Sequence, residues 1–181
     1  SAIDLLNKQA NKFMVHNYFK NKDLVWRVEG PFDSSYSLAI LNRNFALALK
    51  RIGQEVVLHS TEGPGDFLPS PDFLKDNSII NELYQKSFNT NLSNCITSRN
   101  LFPPRSDDFN SIFNLFHAYG WEETLFPQEW TDNFNNYLNG ITVMSNSVKK
   151  SLVDRIVHSM KILNEQITAD SDLGLGYQIG H

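Results

Sequence analysis

Between Leu24 and Gly53 a short apolar run, a glycine–proline break, a polar turn and an amphipathic helix follow one another. No other stretch constrains the fold as much. The run begins at Leu24, and Gly30-Pro31 ends it. The helix is predicted over Leu38–Ile52 and carries Ile40, Leu41, Phe45 and Leu49, with Gly53 as its left-handed terminator. A second strand, Glu55–His59, follows at once. Strand, helix and strand over so short a span make a βαβ unit, whose crossover is right-handed. A helix that starts just after a strand presents free amides to an anion. The turn lacks the GxGxxG pattern, so the dinucleotide fingerprint is absent.

Alternation continues downstream. Residues 60–72, rich in glycine and proline, read as a loop, and Phe73–Phe88 as a helix capped by Asp72. Ser93–Ser98 reads as a short strand, and the double proline at Pro103-Pro104 keeps 99–110 irregular. Ser111–Tyr119 is a hydrophobic strand, and Pro127 opens a helix to about Tyr137. Ile141–Met144 has the apolar and β-branched character of a buried parallel strand. Ser145, Asn146 and Ser147 cap a helix predicted from Val148 to about Ile167. The resulting expectation is a Rossmann-like open parallel sheet with helices on both faces. Residues 1–22 read as a helix, 23–154 as the α/β domain, and 155–181 as a helix with a turn-rich tail.

Composition narrows the functions. Of 181 residues, 41% are hydrophobic and 13 are Phe, enough for a bulky core. The net charge of -4 and the lack of a basic stripe give nucleic acid no electrostatic foothold. No apolar run approaches the roughly 20 residues of a membrane span. The single Cys95 has no intrachain partner, and no Cys/His cluster has zinc-ligand spacing, so no metal is expected. A cytoplasmic location fits.

In an open parallel sheet, ligands bind beyond the carboxyl ends of the strands. Four segments meet that rule: Glu29–Tyr36, Ser60–Asp72, His117–Glu123 and Ser145–Ser147. In the first, Gly30 makes the break. The amides of Ser34, Ser35 and Tyr36 either attract a phosphate, or the two serines only cap the helix. In the third, His117 can shuttle a proton, Trp121 can offer a face to a sugar ring, and Glu122 and Glu123 can hold hydroxyls. The competing reading is a strand end with a packed indole and solvated acids.

The segments Glu29–Glu62, Leu101–Arg105 (LFPPR), Gly120–Trp130 (GWEETLFPQEW) and Ile141–Asp154 (ITVMSNSVKKSLVD), in that order, resemble the N-terminal half of a family 4 glycosyltransferase of the GT-B fold. The resemblance spans Leu24 to Asp154. It implies a retaining, metal-independent transfer from a nucleotide-sugar donor to a glycan or lipid-linked acceptor, with no cofactor, in a cytoplasmic or membrane-peripheral setting. This half would bind mainly the acceptor, with His117 and Glu122 as catalytic candidates. Gly30, Ser34, Ser35, Tyr36, Trp121, Glu123 and Asn146 would bind substrate. The family's E-x7-E carboxylate pair belongs to a C-terminal nucleotide-binding domain and does not occur in this sequence, so these residues alone are expected to be inactive. Arg155–His181 instead resembles the C-terminal segment of AAA+ restriction GTPases, although no P-loop is present. That implies the alternative: a non-catalytic Rossmann-like module attached to a restriction-type NTPase. A single-domain phosphate-binding α/β protein is the third reading.

Overall fold

The computed structural model describes residues 24–122 and 126–153. In chain order these form β1 (Val25–Glu29), α1 (Ser37–Arg51), β2 (Val56–His59), and a small hairpin of β3 (Thr61–Glu62) and β4 (Gly65–Asp66). Next come α2 (Pro71–Asp76), α3 (Ser78–Ser87), β5 (Cys95–Arg99), β6 (Phe113–Tyr119), α4 (Gln128–Tyr137) and β7 (Gly140–Val143). A last helix, α5, covers 146–153 within the described residues. The predicted helix over 1–22, and everything predicted beyond 153, lie outside them.

Five strands make one sheet in the order β2-β1-β5-β6-β7, with every neighbouring pair parallel. The chain leaves β1 towards β2 and then crosses back to β5. The order therefore reverses between β1 and β5, which is the switch point of a doubly wound sheet. This is a Rossmann-like open α/β fold.

Register assigns the faces. Trp26 pairs with Val56 and Ile96, and Val28 with Leu58 and Ser98. On this face lies α1, whose Phe45 meets Trp26 edge to face at 6.2 Å. Arg27, Glu29 and Arg99 point to the opposite face with Phe116. There α4 packs Phe134 on Phe116 at 5.2 Å, and the end of α3 receives Arg27 Nη1 at the Ser87 carbonyl, 3.1 Å away. Two apolar clusters result. One joins Val28, Phe32, Leu49, Leu58 and Leu83, and the other Phe116, Tyr119, Phe126, Phe134 and Leu152. Each fully buried aliphatic or aromatic side chain there contributes about 1.5–3 kcal/mol.

Helix α1 forms because Ala39, Asn42, Ala46 and Leu49 line one buried stripe. Its end is a Schellman turn. The Gln54 amide donates to Leu49 O and the Gly53 amide to Lys50 O, with Gly53 at φ +83°.

Several boundaries differ from expectation. Neither Ser34 nor Ser35 caps α1. Tyr36 occupies that position, and no side chain caps the amides that follow. The single helix expected over 73–88 is two. Asn77, at φ -124° and ψ 70°, breaks it, and its side-chain amide takes over the Phe73 carbonyl at 2.8 Å. Ser70, not Asp72, caps α2, accepting from the Phe73 amide at 3.3 Å ahead of Pro71. The loop over 60–72 contains the β3–β4 hairpin. No helix among the described residues is long and apolar enough to cross a membrane.

Candidate functional site

A cleft of about 440 Å³ opens on the α1 side at the carboxyl ends of the strands. Ser37, Leu38 and Leu41 of α1 form one wall. Asn100, Leu101 and Phe102, which follow β5, form the second. Ala118 to Glu122, at the end of β6, and Met144, after β7, close the third. The cleft therefore lies at the switch point, between the helix that follows β1 and the segment that follows β5. Of the four expected segments, the one after β6 lines it, and Met144 adjoins the one after β7. The segments after β1 and β2 do not line it, and the stretch after β5 takes their place.

A buried polar lock forms the floor behind this cleft. Asn42 Nδ2 donates to Pro31 O and to Asn100 O, both at 2.9 Å. Those two carbonyls fix the amide's orientation, so Asn42 Oδ1 faces His117 Nε2 at 2.9 Å as an acceptor. His117 Nε2 is then the protonated nitrogen, and Nδ1 accepts from the Ser98 hydroxyl at 3.0 Å. Phe45 stacks on the imidazole at 4.4 Å. Burial pushes the His117 pKa down to about 4, against a smaller upward pull from Ser98, so the ring is neutral. His117 thus has both nitrogens engaged and is buried. It does not line the cleft, and its hydrogen bonds tie α1 to β5 and β6.

Gly30 belongs to the same lock and does not line the cleft. Its φ is +146°, and a Cβ there would overlap the Asn42 amide nitrogen and the Asn100 carbonyl oxygen. Glycine is required because two polar groups and a backbone must meet in one place. Asn100 Nδ2 in turn donates to His117 O at 2.8 Å and Ala118 O at 3.3 Å. Ala118 sits at φ +47°, within a register irregularity between Phe116 and Tyr119, and its amide donates to Thr142 Oγ1 at 2.9 Å. This kink aims the segment from Gly120 onward into the cleft.

Trp121 and Glu122 line the cleft as expected. Trp121 is half-buried, packed edge to face on Phe126 at 5.1 Å and Trp130 at 5.3 Å. Glu122 is exposed. Glu123 lies outside the described residues. Ser34, Ser35 and Tyr36 do not line the cleft. Arg43 Nη1 grips the carbonyls of Phe32, at 3.1 Å, and Ser34, at 2.5 Å. The Tyr36 hydroxyl donates to Glu62, tying this turn to the hairpin. Burial, aided by Glu62, pushes the Tyr36 phenol up. The uncapped amides that open α1 belong instead to the first helical turn, where Ser37 and Leu38 line the cleft. Asn146 is exposed in the first turn of α5 and does not line it. Ser145 supplies the α5 cap, accepting from the Val148 amide at 3.2 Å.

On the opposite face Glu29 sits between two guanidiniums. Arg27 Nε donates to Oε1 at 2.6 Å, and Arg99 Nε and Nη2 donate to Oε2 at 2.8 and 2.6 Å. Arg99 Nη1 also meets Asp108 at 2.6 Å. Burial alone would raise the Glu29 pKa, but Arg99 and Arg27 overcome it and hold the carboxyl below its ordinary range. This group is saturated by its own partners. No group of His, Cys, Asp and Glu among the described residues could hold a metal ion.

Sequence reasoning missed Asn42, Asn100, Ala118, Phe102 and Met144. Asn42 had a visible signal, as a polar residue in an otherwise apolar helical stripe. Nothing local marks Ala118, whose conformation comes from its two neighbouring strands.

The fold and the cleft together define a class: an open parallel α/β domain with a cleft at its switch point. No family model matches the chain, and no curated protein or solved structure matches it either.

Proposed function

We propose that this chain is the acceptor-side domain of a retaining glycosyltransferase, moving a sugar from a nucleotide-sugar donor to a glycan or lipid-linked acceptor. The observation that carries the reading is the cleft at the switch point, into which Gly120-Trp121-Glu122 projects beside the opening turn of α1. Those residues lie in one of the segments that resemble glycosyltransferases. Trp121 supplies an apolar wall for a sugar ring. Glu122 accepts from sugar hydroxyls and is, among the described residues, the carboxylate placed to take a proton from an acceptor. Asn42, Asn100 and His117 hold the walls in register. Nucleotide binding falls to a domain with the E-x7-E pair, which the sequence does not contain. The alternative NTPase-associated module rests on residues 155–181, outside the described residues.

Calorimetric titration of the chain with glycosides, and separately with nucleotide sugars, tests this. Glycosides are expected to bind, and Trp121→Ala to weaken them at least about tenfold, the loss expected for an aromatic anchor. Tight nucleotide binding with no response to glycosides sinks the proposal.

A further inference from the structure

Three features of the cleft say which acceptor suits it. Its walls are mostly apolar, with Leu38 and Leu41 facing Leu101 and Phe102 across it. Among the described residues no lysine, arginine or histidine lines it, and its one ionisable lining group besides Tyr119 is the Glu122 carboxylate. Its rim carries two strongly exposed apolar side chains, Met144 at 68% and Phe102 at 59%. Phe102 continues, edge to face at 6.0 Å, onto Trp130, which packs on Trp121. An apolar surface thus runs from the rim into the cleft.

Among the described lining residues a phosphorylated ligand finds no cationic side chain and meets a carboxylate, so only the uncapped amides that open α1 would attract it. A free oligosaccharide would leave its hydroxyls against leucine and methionine, unpaired. The volume falls within the range of small-molecule pockets and is too small for a protein helix.

We infer that the acceptor of this cleft is a neutral amphiphile: a sugar bearing an alkyl-type chain, with the sugar beside Trp121 and Glu122 and the chain along Leu41, Phe102 and Met144. This rests on the glycosyltransferase reading and names its acceptor class.

The test is calorimetric titration of the full chain with methyl, butyl, hexyl and octyl β-glucoside below micelle formation, beside octyl phosphate and octanol. Affinity is expected to rise about fourfold for each methylene that enters the cleft. Octyl phosphate should bind at least about tenfold more weakly than octyl glucoside, the like-charge penalty at Glu122. The double variant Phe102→Glu, Met144→Glu should flatten the length dependence. Both positions are exposed, so the thermal transition serves as the check that the fold persists. Equal affinity at all chain lengths overturns the inference and leaves the glycosyltransferase reading standing. Octyl phosphate binding as well as the glucoside overturns the neutral-acceptor inference alone. Octanol binding as tightly as octyl glucoside overturns both, because the sugar is then not recognised. No binding of any glucoside also overturns both.

Discussion

Gly30 and His117 show how single residues set the cleft without lining it. At Gly30 the Asn42 amide and the Asn100 carbonyl leave no room for a Cβ, and the φ of +146° disfavours any other residue. Gly30→Ala is therefore expected to cost about 2–4 kcal/mol, combining overpacking with backbone strain. Urea denaturation measures this, and a loss below about 0.5 kcal/mol would show that the lock is loose. His117 carries a pH signature. Its folded pKa is about 4, depressed by burial from the ordinary 6.5. Between these values the unfolded chain binds the extra proton, so stability is fully present above pH 6.5 and declines as pH falls towards 4. The contribution at stake is on the order of 3 kcal/mol. His117→Gln should lower stability at pH 7 by about 1–3 kcal/mol. It should also flatten the profile between pH 6.5 and 4. An unchanged slope in that window would mean that the imidazole is not buried neutral.

At the scale of elements, the kink that ends β6 matters most. Ala118 adopts φ +47°, where an L-residue with a Cβ pays about 1–2 kcal/mol. Ala118→Gly should accordingly leave the protein as stable as before or stabilise it by up to about 1 kcal/mol, although glycine in a strand normally weakens it. Thermal melts decide this, and a clear destabilisation would show that the alanine methyl packs usefully. The kink also shows where the sequence was legible. The strands Val25–Glu29, Val56–His59 and Gly140–Val143 and the helices Ser37–Arg51 and Gln128–Tyr137 follow closely from apolar spacing and from Gly53 and Pro127. These signals are local. The parallel sheet follows from their alternation. The break at Asn77 was hidden because apolar spacing runs through it, and the interruption comes from a side chain competing for a backbone carbonyl. The cleft was half legible. Trp121 and Glu122 sit at a strand end, where the parallel-sheet rule puts ligands. Phe102 and Met144 join them only once β5, β6 and β7 lie side by side. The burial of His117 behind the cleft was not legible, because its partner Asn42 lies 75 residues away in sequence.

At the scale of the molecule, the two apolar clusters lie on either side of a polar seam along β5. Phe32, Leu58 and Leu83 belong to one cluster, and Phe116, Phe126 and Phe134 to the other. Between them run Thr97, Ser98, Arg99 and Asn100, all buried and all polar or charged. Apolar packing adheres without direction, but these contacts work only in one alignment, so the seam fixes how β1 and β2 sit against β6 and β7. Glu29 is its strongest tie, because one carboxylate holds Arg27 within β1 and Arg99 on β5. Glu29→Gln leaves buried Arg27 without its counter-charge and Arg99 with Asp108 alone, and should cost about 3–5 kcal/mol. The wild-type pair also has an acid limit. The folded Glu29 pKa is depressed, so its contribution is present above the ordinary carboxylate range and is lost as pH falls through the folded value. The variant should lose this acid dependence. If the seam joins two otherwise separate cores, cutting it should also separate their unfolding. Trp26 packs against the first cluster, while Trp121 and Trp130 pack against the second. Fluorescence of variants retaining one of these reporters should follow a single urea transition in the wild-type background and two in Glu29→Gln. Coincident transitions at an unchanged midpoint would mean that the clusters are coupled through the backbone of β5 alone, and that the buried charges set alignment without holding the halves together.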